Sequence, residues 1–151
     1  MFSSVTLSTI RIIIDLIERD LMQLNKKIKI LIVDDEPDIL NLLTEEFKCH
    51  GHYVNTATSG NEAVELLKNV SFDIIISDFR MPNGNGMVLL NFVNSMNKKP
   101  VFYFVSGQAD LSAEDCLRAG AKQFFAKPFD LNLLIFEVEK EFSNSVEVLA
   151  A

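Results

Sequence analysis

Three consecutive isoleucines, Ile74-Ile75-Ile76, set the strongest limit on how this chain folds. Successive side chains of a strand point to opposite faces, so an unbroken apolar run needs both faces covered. That is the pattern of a central parallel strand with helices on either side. The strand stops near Asp78, because Pro82, Gly84 and Gly86 follow with turn chemistry. A carboxylate is thereby held at the carboxyl end of a rigid strand, the edge where open α/β sheets place their ligands. A second apolar run, Ile28-Lys29-Ile30-Leu31-Ile32-Val33, ends in Asp34-Asp35. One acid at a strand end is commonly a solvated terminus. Three acids on two such ends need another reason.

The rest of the chain repeats the same alternation. Pro37 suits a first helical turn, with Asp35 or Glu36 as cap, and Gly51 breaks that helix. His52 to Ala57 is a short strand, and Ser59-Gly60-Asn61-Glu62 opens a helix as a capping box. After the isoleucine strand come a helix over Met87 to Met96 and the buried strand Val101 to Val105, ending at Ser106-Gly107. Ser112 opens a further helix, Lys122 to Ala126 is the last strand, and Asp130 caps the final helix. Strict alternation of five strand–helix pairs implies an α/β fold, a doubly wound five-stranded parallel sheet built from right-handed crossovers. The 151 residues suit one domain, residues 28–142, with an N-terminal helix within residues 1–27 and a frayed tail over 143–151.

Within residues 1–27, Leu7, Ile10, Ile14, Ile17, Leu21 and Leu24 step by alternating threes and fours, a heptad register. Thr6 or Ser8 is placed to cap the start. Arg11, Asp15, Glu18 and Arg19 interrupt any apolar span, so neither a signal peptide nor a membrane crossing fits. Leaving that stripe in water forfeits on the order of 10 kcal/mol, so the helix must cover something. Self-pairing into a homodimer through residues 7–24 is the first expectation. Packing back on its own domain is the second.

A formal net charge of -7 argues against a nucleic-acid surface, which needs a basic stripe. Cys49 and Cys116 show no zinc spacing and read as small core residues of a cytoplasmic protein. His50 and His52 flank Gly51 without a third ligand nearby in sequence.

In a doubly wound sheet the ends carrying Asp34, Asp35, Asp78, Ser106 and Lys127 open on one edge. Clustered carboxylates raise one another's pKa unless a counter-charge sits among them. Oxygen ligands of this kind suit Mg²⁺, while a lysine and a hydroxyl suit a phosphoryl group. Gly107, lacking a side chain, leaves its N–H open to close approach by such a group.

Asp34-Asp35, then Asp78 with Met81-Pro82 and Gly86, then Ser106-Gly107 and Lys127-Pro128 together resemble the receiver domain of bacterial response regulators, over about residues 28–142. The resemblance implies the flavodoxin-like strand order 2-1-3-4-5 and a set of roles. Asp78 would accept a phosphoryl group from a sensor histidine kinase or phosphotransfer protein. Asp34, Asp35, Asp78 and the Arg80 carbonyl would hold Mg²⁺, and Lys127 would pair with the phosphoryl oxygens. Ser106 and Phe124 would switch the surface around the helices after Ser112 and Asp130, while Arg80 and Gln108 would tune phosphoryl lifetime. Phe124 stands where the family often has tyrosine, so no hydroxyl is available there.

The implied function is a stand-alone switch or relay read by a separate effector, catalysing only its own phosphorylation and dephosphorylation. A Mg²⁺-dependent aspartyl-phosphate hydrolase would need an acid two residues after the nucleophile, where this chain has Arg80. A flavin module would need a Ser, Thr and Gly-rich loop after the first strand, which is acidic here. A phosphorylation-independent dimeric scaffold on the same fold is the remaining rival.

Overall fold

The computed structural model describes residues 6–24, 26–107 and 112–150, without the side chains of 23, 24 and 147–150. Its elements run α1 (Leu7–Leu24), β1 (Lys29–Val33), α2 (Pro37–Cys49), β2 (Tyr53–Ala57), α3 (Gly60–Asn69), β3 (Ile74–Ser77), α4 (Gly86–Asn94), β4 (Val101–Ser106), α5 (Ala113–Arg118), β5 (Gln123–Ala126) and α6 (Leu131–Ala150). The strands form one sheet in the order β2-β1-β3-β4-β5, every pair parallel. Both the sheet class and the strand order match the reading from sequence.

The isoleucine run explains the layering. Ile74 and Ile76 face a cluster with Ile30, Ile32, Leu43, Phe47, Tyr103 and Val138, under α2 and α6. Ile75 faces the opposite cluster with Leu31, Val33, Leu89, Val93, Phe102 and Cys116, under α3, α4 and α5. All four residues of β3 are buried, so the strand that ends at Asp78 is gripped from both sides.

Helix ends follow local chemistry. Ser59 Oγ accepts from the Glu62 amide at 3.2 Å. Glu62 reaches back one residue further than a capping box would, accepting from the Thr58 amide and hydroxyl. Asp130 Oδ1 accepts from the Leu133 amide, the cap expected for α6. Thr6 Oγ1 accepts from the Thr9 amide at the start of α1. Glu36 is the N-cap of α2 but makes no side-chain cap bond. Its side chain is drawn instead to Lys127.

Three expectations are corrected. The final helix does not fray at 143 but continues to Ala150. Neither Gly nor Pro interrupts that stretch, and the Ser143 and Ser145 hydroxyls donate to the Glu139 and Glu141 carbonyls four residues back. Cys116 is a core residue, but Cys49 is exposed, because the inward positions of α2 are taken by Leu43 and Phe47. The histidine pair is not without a third side chain. Glu139 Oε1 on α6 lies 2.9 Å from both His50 Nδ1 and His52 Nε2. Those ligand atoms do not converge, however. Among the described residues only Asp34, Asp35 and Asp78 form a set of three whose ligand atoms all lie within 4.8 Å of one another. No described helix is long and apolar enough to cross a membrane.

Candidate functional site: an acidic pocket at the switch point

β1 pairs with β2 on one side and β3 on the other, so a crevice opens above the carboxyl ends of β1 and β3. The ladder carries the acids into it. The Asp34 amide donates to the Ala57 carbonyl at 3.1 Å, and the Asp78 amide to the Val33 carbonyl at 2.8 Å. Asp34, Asp35 and Asp78 thereby converge, each offering an oxygen within 4.8 Å of the others. Asp35 is exposed, whereas Asp34 and Asp78 are buried, Asp34 to 1% exposure.

Lys127, just past β5, brings the counter-charge from the far side. Its Nζ donates to Asp34 Oδ2 at 2.8 Å and Glu36 Oε1 at 2.8 Å, and stands 3.5 Å from Asp78 Oδ2. Asp34 Oδ1 accepts from the Glu36 amide at 2.9 Å, and Asp78 Oδ1 from the Phe79 amide at 2.6 Å. Each buried carboxylate therefore has one oxygen fixed by backbone and one turned toward the lysine.

Burial pushes the Asp34 carboxyl up, more than the Lys127 hydrogen bond and the Glu36 amide pull it down. Burial would lower Lys127, but its hydrogen bonds to Asp34 and Glu36 and the charges of Asp34 and Asp78 outweigh that. The lysine's direction governs the pair, because several acids surround one ammonium. Lys127 stays protonated at neutral pH.

Ser106, the last residue of β4, is buried, and its carbonyl accepts from the Lys127 amide at 3.0 Å. Phe124 pairs with Phe104 across β4 and β5 and is partly buried against the cluster under α3, α4 and α5. Arg80 has an exposed side chain two residues after Asp78. Gln108 lies outside the described residues.

Glu36 was not legible as part of the site, and Gly86 was legible in the motif without its steric reason. Glu36 shares Lys127 with Asp34, although from sequence it reads only as a candidate cap of α2. Gly86 lies against the end of β3: a Cβ there would meet the Asp78 carbonyl oxygen at 2.4 Å and Phe104 Cε1 at 2.6 Å. Gly107 is the opposite case, since among the described residues a Cβ there would meet only Lys127 Cβ at 3.7 Å, an ordinary contact.

Hard carboxylate oxygens gathered this closely fit an oxygen-seeking divalent cation, and no sulfur or imidazole competes among them. The chain belongs to the response regulator receiver domain family, whose pattern it matches over residues 30–139. It is 31% identical over 113 residues to the regulatory protein AtoC of Escherichia coli K12, covering 74% of this chain and 24% of AtoC. It is 33% identical over 132 residues to the response regulator SaeR of Staphylococcus aureus USA300, covering 80% of this chain and 56% of SaeR. The chain thus spans a quarter to little over half of these relatives. Among solved structures, the Francisella response regulator 1452 receiver domain matches with a TM-score of 0.73 at 26% identity, over 79% of this chain and 99% of that one. The chemotaxis response regulator CheY4 of Vibrio cholerae matches at 0.69 and 27% identity, over 76% and 98%.

Proposed function

We propose that this chain is a phospho-accepting switch of two-component signalling, with Asp78 as acceptor. The observation that carries this reading is the convergence of Asp34, Asp35 and Asp78 opposite the Lys127 ammonium. Asp78 Oδ2 is the attacking oxygen, because Oδ1 is already engaged by the Phe79 amide. As the O–P bond forms, the P–N bond to the histidine of a sensor kinase or phosphotransfer protein breaks, and the imidazole leaves with the electron pair.

Asp34, Asp35, Asp78 and the Arg80 carbonyl are the residues that would hold Mg²⁺. When bound, the ion neutralises charge on the phosphoryl oxygens. Lys127 supplies the second positive charge to those oxygens, moving toward Asp78 from its resting partners. Ser106 then donates its hydroxyl to the phosphoryl group and Phe124 turns inward, altering the surface of α5, β5 and α6 for a separate effector. On this reading the protein works in the cytoplasm, catalyses no turnover beyond its own modification, and uses residues 7–24 to form a homodimer. Incubation with acetyl phosphate and Mg²⁺ adds about 80 Da to the intact chain, and EDTA prevents it. An unchanged mass in the presence of Mg²⁺ would leave the scaffold reading in its place.

Two further results are expected. Mg²⁺ at a hundredfold excess over its dissociation constant stabilises the fold by about 2.7 kcal/mol. Thermal unfolding with and without the ion reads this, and Asp35→Asn loses most of the increment. Arg80 partly covers the modified Asp78 and keeps water from it, so Arg80→Ala dephosphorylates several-fold faster. The decay of the added mass after donor removal measures it, and an unchanged rate contradicts the role.

A further inference from the structure

α1 carries its apolar stripe in the open. Ile10, Ile14, Ile17 and Leu21 are 43–53% exposed, and no α1 residue with a described side chain joins either buried cluster. We propose that this face pairs with the same face of a second copy, with the two helices running antiparallel. The proposal deepens the dimer reading of residues 7–24 and rests on it.

The orientation follows from charge. In the heptad register Ile14 and Leu21 occupy a, Ile10 and Ile17 occupy d, Arg11 and Glu18 occupy e, and Ile13 and Asp20 occupy g. Antiparallel helices related by a two-fold axis set a against d, giving Ile14 with Ile17 and Ile10 with Leu21, each contact occurring twice. Position e then faces e, so Arg11 of each copy lies beside Glu18 of the other. In a parallel pair e faces g instead, which leaves Glu18 beside Ile13 and Arg11 beside Thr6. The other flank does not discriminate, since Ile13 meets an acid either way. The antiparallel arrangement also aligns opposed helix dipoles favourably. A membrane surface is a poorer occupant, because the polar side mixes Asp15, Glu18 and Asp20 with Arg11 and Arg19 rather than being basic.

Disulfide trapping in the full chain tests the orientation. Cys49 is exposed and is first changed to Ser, while buried Cys116 is kept. Under mild oxidation, a mixture of Ile14→Cys and Ile17→Cys chains cross-links roughly tenfold faster than either variant alone, because only the a–d pair meets. Faster self-linking of each variant would overturn the antiparallel orientation while keeping the dimer. A charge exchange gives a second readout without touching the apolar stripe. Arg11→Glu weakens association in sedimentation, and adding Glu18→Arg restores it; failure of the double exchange to restore it also overturns the orientation. A wild-type chain that sediments as a monomer throughout the micromolar range would sink the pairing altogether. Phosphoryl uptake, followed by intact mass in the same samples, reports separately on Asp78.

Discussion

Asp78→Asn takes up no phosphoryl group from acetyl phosphate, under conditions where the wild-type chain gains about 80 Da. The substitution keeps the shape of the side chain and an oxygen for the Phe79 amide at Oδ1. It replaces the oxygen nearest Lys127 by an amide nitrogen, whose lone pair is delocalised and does not attack phosphorus. The loss is therefore expected to be complete within detection, roughly a hundredfold or more. Folding is checked on the same sample by thermal unfolding, so that loss of uptake is not loss of structure. Uptake at an undiminished level in the variant would move the acceptor elsewhere and end the case for Asp78.

Gly86→Ala is expected to destabilise the fold by on the order of 3 kcal/mol. The added methyl would come within 2.4 Å of the Asp78 carbonyl oxygen and 2.6 Å of Phe104 Cε1. Neither neighbour moves cheaply. The Asp78 carbonyl already accepts from Ser77 Oγ, and the Phe104 ring is held edge-on between Phe79 and Phe102. The Gly86 amide also donates to the Phe79 carbonyl at 2.8 Å, fixing the backbone from the other side. Urea unfolding midpoints measure the cost. Gly107→Ala is the internal comparison, expected to stay within about 0.5 kcal/mol because among the described residues its methyl meets only an ordinary contact. Equal midpoints for the two variants would contradict the steric account.

Much of this could be read from residue order because the determining signals are local. Ile74-Ile75-Ile76 announced a strand covered on both faces, and the two clusters that divide those side chains bear it out. Acids placed directly after two apolar runs come together because the two strands are neighbours. The strand order, by contrast, came from family resemblance, since alternation alone does not fix which strands adjoin. The features that stayed hidden depend on contacts remote in sequence or on exact spacing. Glu36 meets Lys127 across 91 positions of chain. Gly86 stands in the motif, but why no side chain fits there shows only with Phe104 packed against it. Residues 143–151 read as a frayed tail, yet the Ser143 and Ser145 hydroxyls fold back onto the preceding turn and the helix runs on.

The split seating of Ile74, Ile75 and Ile76 has a consequence for Asp78 itself. β3 is a party wall: hollowing out the room on either side tilts the same post. Shortening Leu43 of α2 or Leu89 of α4 acts on opposite layers, yet both disturbances arrive at one mounting point, the backbone of Asp78.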